Sequence, residues 1–236
     1  MNKLFGSVNK HSEQGEHWMS VSDLMAGLMM VFLFISVALM MDATRERDKI
    51  KDVAETYEKT QQAIYYALYD EFKDDLPRWG AEINRDDLSL NFTSPEVLFA
   101  QGSSSLTSKF QNILDNFSPR YLGVLDQFKS DIQEIRIEGH TSSHWNNDTS
   151  ADEAYFNNMA LSQSRTRAVL HYIVGLDVVQ KIYVNWVKSY IAAVGYSSSK
   201  LVFDAYGNED EAKSRRVSFR VITNAEIQIR KILGNE

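Results

Sequence analysis

From Leu24 to Met41 the chain reads LMAGLMMVFLFISVALMM, eighteen residues without a charged side chain. At a helical rise of about 1.5 Å per residue this run covers roughly 27 Å, close to the hydrocarbon thickness of a bilayer. A secretory leader has a shorter apolar region and a small-residue cleavage site, whereas this run ends in Met40, Met41 and Asp42 and so reads as an uncleaved anchor. Trp18 precedes it where an amphipathic ring suits the lipid–water interface, and Arg45, Arg47, Lys49 and Lys51 follow it. Only Lys3 and Lys10 lie before the span, so a bare positive-inside count points the C-terminal side to the cytoplasm, a rule that a large following domain overrides. The expected divisions are a tail at 1–17, a transmembrane helix at 18–42, a linker helix at 43–85 and a folded domain at 86–236.

Residues 43–75 lack Gly and Pro, and Ile50, Val53, Tyr57, Thr60, Ile64 and Ala67 recur at helical spacing. The seam fits a short coiled coil or a helix lying on its own globular domain, with Pro77 and Gly80 stopping it. Beyond it, Leu88 to Phe92, Ile132 to Ile137 and Val217 to Val221 alternate as strands do. Leu106 to Phe128 reads as two helical stretches split by Pro119, and Ala160 to Val174 as one helix. The fold class is therefore α+β, with helices sandwiched on one sheet behind a single N-terminal anchor.

Composition removes several functions. A formal charge of −7 without a Lys/Arg stripe argues against nucleic acid as a partner. The absence of Cys excludes disulfides, zinc thiolates and thiol nucleophiles. No Gly-rich phosphate loop, G-x-S-x-G elbow or H-E-x-x-H pair is present, so the chain is expected to be no enzyme, with no catalytic residue, cofactor or metal. The acidic run Asp148 to Glu153 lacks the calcium-loop order and reads as a solvated loop. His140 has no second ligand at metal spacing and reads as a structural residue of a turn.

Four stretches in order carry a resemblance. VLFAQGSSSL at 97–106, IRIEGHT at 135–141, LSQSRTRAV at 161–169 and SRRVSFRV at 214–221 resemble the opening strand and helix start, the G-H-T turn, the L-S-x-x-R helix and the closing N-R-R-V strand of OmpA-like domains. VGYSSSKLV at 194–202 stands where that family has its G-Y-G segment. The resemblance implies a periplasmic domain that grips the carboxylate and amine ends of the diamino acid in the peptidoglycan stem. Arg165 would take the carboxylate, its planar guanidinium suiting bidentate capture. Asn157, Asn158 and Leu161 would line the same groove. Ser142 stands where the family has an amine-binding Asp, which implies weaker affinity or a substitute in Asp148, Asp152 or Glu153. Ser214 replaces the Asn of the closing motif, and of Arg215 and Arg216 one is expected near the groove mouth.

Asp23 opens the apolar run. By position it is either the third residue of a helix capped by Ser20, or an ionisable group about one turn inside a helix that begins near Trp18. The string WMSVSDLMAGLMMVFLFISVALM, with its S-D-L-M-A-G-L-M start, is similar to the B subunits of ion-driven stator units, the MotB class, and closer still to those of Zorya anti-phage defence systems. That resemblance implies an inner-membrane, N-in and C-out protein, a homodimer inside a ring of a MotA-like (ZorA-like) partner in five-to-two assembly. Asp23 would carry protons and the C-terminal domain would hold peptidoglycan. Ala26 and Gly27 would permit close approach of a partner helix, and Met25, Met29, Met30 and Phe32 would offer an adaptable apolar surface. A flagellar-type stator subunit and a static membrane-to-wall anchor are the other readings.

Overall fold

The computed structural model describes residues 13–93, 95–100, 102–146 and 148–234, leaving aside the side chains of 13–20, 95, 96 and 233. Helix α1 runs from Glu13 to Phe72. The chain divides into two compact units between Asp52 and Val53.

In the first unit every described side chain from Val21 onward is exposed, including Leu24 at 75%, Met29 at 74% and Phe32 at 73%. A core helix of a water-soluble protein buries such residues; here none of the apolar window is buried in the chain. The helix is the one among the described residues that is long and apolar enough to cross a membrane. Ser20 and Asp23 lie inside α1, which begins at Glu13, so neither caps its N-terminus. The tail residues 1–12 and the Trp18 ring lie outside the described positions.

The second unit starts on the last turns of α1, where Ile64, Leu68 and Phe72 are fully buried in the domain's core. The apolar seam expected there is thus covered by the chain's own domain. Ile50, at its upper end, is exposed. A short helix α2 (Leu76–Trp79) ends on Gly80 in the left-handed conformation, φ 64°. Strand β1 (Ala81–Asn84) follows, where the sequence reading continues a linker.

Strand β2 (Ser89–Thr93) pairs antiparallel with β1. Helix α3 (Pro95–Leu98) leads into a loop closed by the Phe99–Leu106 bridge, so 97–106 forms no opening strand. Gly102, at φ 63°, and the Ala100 N–H donating to Ser105 O turn the chain back on itself there. Helix α4 (Ser108–Asp126) starts on Thr107, whose side chain accepts from the Phe110 N–H. It runs through Pro119 without dividing. An internal proline costs about 3 kcal/mol, and here the buried stripe Phe110, Ile113, Leu114, Phe117, Tyr121, Leu122 and Leu125 offsets that cost by holding both halves on the same core.

Strand β3 (Ile132–His140) is followed by α5 (Ala151–Gly175), longer than its apolar pattern indicates. Ser150 and Glu153 form a reciprocal capping box that starts α5 inside the acidic run, so Asp152 and Glu153 belong to its first turn rather than to a loop. A π-helical turn (Val179–Tyr183), α6 (Val184–Tyr190), β4 (Ile191–Ser197), the short α7 (Glu211–Ser214), β5 (Arg216–Thr223) and α8 (Asn224–Leu233) complete the order. The sheet order is β1-β2-β5-β3-β4, antiparallel except for the β3–β4 pair.

Alternation along the strands sends Leu90, Phe92, Ile135, Ile137, Val217, Phe219 and Val221 into the core. An aromatic cluster fills it: the Phe117 ring lies 4.9 Å from Phe219, 5.3 Å from Phe92 and 5.2 Å from Phe72 between centroids. Arg120 ties α4 to the end of α1, donating to Glu71 Oε1 at 2.6 Å and Asp75 Oδ2 at 2.8 Å with its guanidinium over Phe72.

Candidate functional site

Two glycines decide where α5 sits. Gly139 on β3 and Gly195 on β4 are register partners, and α5 lies against both. A Cβ on Gly139 would fall 2.8 Å from Ser162 O, and one on Gly195 would fall 2.5 Å from the Gln163 N. Only glycine at both positions lets the helix backbone approach the sheet this closely. The face of α5 that results carries Asn158, Leu161 and Arg165, three and four residues apart on one side of the helix.

These three side chains line a cleft of about 760 Å³. Phe99, Ala100, Gly102 and Thr107 contribute to its lining from the segment before α4; Thr141, Ser142, His144 and Trp145 from the loop after β3; Glu211 and Arg215 from α7 and its C-terminal neighbour. Contacts that hold Arg165 in place include its Nε donating to Ser103 O at 3.0 Å and its guanidinium carbon lying 4.8 Å from the Phe99 ring centroid. A cation stacked on an aromatic face and bonded at one edge keeps its fork in a fixed plane.

Asn158 is buried, and its Nδ2 donates to Ser142 O at 3.1 Å and His144 O at 3.4 Å. It shapes the loop that carries Ser142, which is itself buried. Asn157 is exposed and lines a shallower neighbouring depression with Ser103, Ser104, Trp145 and Leu161 rather than the cleft. Asp148, Asp152 and Glu153 are exposed and are not among the residues lining the cleft. The Glu153 carboxylate is occupied by the Ser150 N–H and hydroxyl, which hold its pKa below the usual range.

Four lining residues escape the motif reading: Thr107, His144, Trp145 and Glu211. The signal for Glu211 is its place four residues before Arg215, ion-pair spacing on a helix; Glu211 Oε2 and Arg215 Nη1 are 3.4 Å apart. Arg215 is the member of the arginine pair at the cleft. Arg216 turns away and donates to the carbonyls of Lys200, Lys213 and Ser214. Among the described residues no cluster of His, Asp and Glu could hold a metal.

His140 is buried, stacked on Tyr196 with ring centroids 5.3 Å apart, and its Nε2 lies 3.4 Å from Glu138 Oε2. Burial lowers its pKa below 6.5, an effect that the adjacent Glu138 opposes. Below pH 6.5 the unfolded chain binds a proton that the folded chain resists, so His140's contribution to stability is complete above that pH and is lost as pH falls through it. Thermal unfolding of the full chain in detergent should therefore show a drop in melting temperature between pH 7.5 and 5.5 that is shallower in His140→Gln; identical slopes would remove His140 as the cause.

This fold and cleft place the chain in the OmpA family, whose profile matches residues 98–218, just over half of the chain. Over nearly its whole length it is also 54% identical to the Zorya protein ZorB of Escherichia coli strain ATCC 8739, the match spanning 234 residues and 99% of each chain, and it belongs to that family. Among solved structures, a MotB-like protein of Desulfovibrio vulgaris aligns with 21% identity over 73% of this chain and 94% of its own, with a TM-score of 0.49. The cell wall anchor of the T6SS from Pseudomonas aeruginosa aligns with 21% identity over 66% of this chain and 97% of its own, with a TM-score of 0.44.

Proposed function

We propose that the chain is the B subunit of a proton-driven inner-membrane motor in Zorya anti-phage defence. Two copies stand inside a ring of a MotA-like, ZorA-like partner, with the N-terminus in the cytoplasm and the second unit held on peptidoglycan. The observation that carries this reading is Asp23, an acidic residue in the interior of a helix whose following eighteen residues are uncharged. An ionisable group in such a segment is expensive unless it has a use, and loading and unloading a proton is one that a carboxylate can perform. Each change of charge favours a different packing of the partner helices, and a ring around the dimer is driven to step. The cleft on the second unit supplies the fixed point: torque on a ring needs an axle tied to something that does not turn.

Separating this reading from a flagellar stator takes two assays on one strain. Deleting the gene should remove phage protection in a plating assay and leave swimming unchanged; the reverse result would make the chain a flagellar stator subunit. The wall contact has its own test. Full-length protein in detergent should co-sediment with purified sacculi, and Arg165→Ala should weaken that binding by about tenfold or more, the worth of a charge-assisted hydrogen-bond pair to a carboxylate. Equal sedimentation of wild type and variant would take the cleft out of wall binding.

A further inference from the structure

The sheet face turned away from α5 is polar even where it is buried. Alternation along the strands places Glu82, Asn91, Ser218 and Glu138 on that face. The register makes them one row: Glu82 pairs with Asn91 across β1 and β2, Asn91 with Ser218 across β2 and β5, and Ser218 with Glu138 across β5 and β3. This row lines a pocket of about 230 Å³ that shares no residue with the cleft. Val202 and Lys213, from the chain between β4 and β5, contribute to its wall, and Asp87 and Arg216 line it as well. The Val202 N–H donates to the buried Ser214 hydroxyl at 2.9 Å, which ties that segment to the chain entering β5.

Glu138 sets the chemistry of the pocket. Its side chain is only 8% exposed, and its Oε2 lies 3.4 Å from His140 Nε2. Its Oε1 is buried and accepts no hydrogen bond among the described residues. A buried carboxylate oxygen without a donor is costly, and such an atom in a native fold calls for a partner. The neighbours do not supply one. The Ser218 hydroxyl donates to Asn91 Oδ1 at 2.5 Å, Asn91 Nδ2 to Ser89 Oγ at 3.1 Å, and the Ser89 hydroxyl to Asp87 Oδ1 at 2.6 Å, a chain that runs away from Glu138. Arg216 spends its Nη1 on three backbone carbonyls. Lys213 is exposed, its ammonium 3.6 Å from Asp210 Oδ2, a carboxylate outside the lining. Three carboxylates, Glu82, Asp87 and Glu138, thus share the lining with Arg216 and with a lysine whose charge is answered elsewhere.

A cation that brings its own donors fits such a lining. No set of His, Asp and Glu among the described residues is disposed to hold a metal ion. An ammonium group carries three N–H donors, and the pocket has room beside it for a short carbon stem along Val202. We propose that this pocket binds a small alkylammonium ion whose ammonium donates to Glu138 Oε1. Glu82, exposed on the edge strand at the other end of the row, keeps the mouth negative and attracts the ligand.

Isothermal titration of the full-length protein in detergent with butane-1,4-diamine checks this, with butane-1,4-diol as an uncharged probe of the same length. Wild type should bind the diamine saturably and ignore the diol at the same concentration. Glu138→Gln keeps the shape and removes the charge, and should weaken diamine binding by about tenfold or more, the worth of one charge-assisted hydrogen bond. Glu82→Gln, at an exposed position, should weaken it by about two- to threefold. Asp70→Asn makes the same change of charge on an exposed part of α1 outside the lining and should bind as wild type does. Thermal unfolding without ligand shows which variants are folded. No saturable binding by wild type, equal binding of the diol, or equal weakening by Asp70→Asn overturns the assignment, as does a folded Glu138→Gln that binds the diamine like wild type. If Glu138→Gln does not fold, unchanged binding in Glu82→Gln overturns it instead.

Discussion

Asp23→Asn should abolish phage protection while leaving the protein assembled in the membrane with its partner. The two side chains have nearly the same shape and similar helix propensity, so the substitution removes little besides the ability to exchange charge for neutrality. A helix cap would tolerate it, because Asn caps about as well as Asp. Asp23 is not at a cap, however: α1 begins at Glu13, and ten residues at about 1.5 Å each put Asp23 roughly 15 Å along the helix. An ionised Asp at the centre of a membrane helix costs about 2.5–3.5 kcal/mol on insertion scales, so the Asn variant should insert at least as well. Efficiency of plating for wild type, Asp23→Asn and Asp23→Glu, each with the whole operon and with pull-down of the partner, checks this. Protection should fall to that of a strain without the operon for Asn and survive in part for Glu, which keeps the carboxylate one methylene further out. Full protection from an assembled Asn variant would mean that no proton passes through this residue, and the chain would then be a static tether between membrane and wall.

The sequence is informative where a periodicity is long enough to exceed chance. Strands β2, β3 and β5 alternate over five residues or more, and each lies within a residue or a few of its expected place. Strand β1 is four residues at a sheet edge, AEIN, too short for alternation to register. The π-helical turn and α6 carry Val179, Ile182, Tyr183, Trp186 and Val187, residues whose β-branched and aromatic character argues for a strand until the core takes one face of them. Helix α8 follows β5 with no glycine or proline between, since Thr223 both ends the strand and accepts from the Glu226 N–H as the helix cap. Pro119 marks a break by local rules and none by tertiary ones.

The cleft divides in the same way. Asn158, Leu161 and Arg165 share a helix face and could be grouped from spacing alone. Glu211 could not, because the turn that bears it meets the loop after β3 through hydrogen bonds from Ser143 to Glu209, which span 66 residues of chain. The carboxylates sought in its stead, at 148, 152 and 153, were near in sequence and are directed elsewhere by the start of α5.

Gly195→Ala should loosen the domain and the cleft together while sparing the membrane helix. The added methyl would sit 2.5 Å from the Gln163 N, 2.6 Å from Gln163 Cγ and 2.6 Å from the Ser162 Oγ. The first of these is helix backbone and cannot rotate away, so α5 has to move or β4 has to yield. Overpacking of this kind costs about 1–3 kcal/mol, and a domain of this size loses about 2–4 °C of melting temperature for each kcal/mol. The same displacement carries Asn158, Leu161 and Arg165 out of register with the opposite wall, because all three stand on the helix that moves. Gly175→Ala is the control: its Cβ meets nothing within 4 Å, and alanine gains up to about 1 kcal/mol of helix propensity there. Thermal unfolding should therefore show Gly195→Ala several degrees below wild type and Gly175→Ala level with it or above, with sacculus binding following the same order. An unshifted Gly195→Ala would mean that α5 can stand off the sheet at no cost, and the glycine pair would not be what positions the cleft. A destabilised variant that still pulls down the partner but no longer binds sacculi would separate the two halves of the proposed machine, since loss of the wall grip would then leave the proton-carrying helix assembled around nothing fixed.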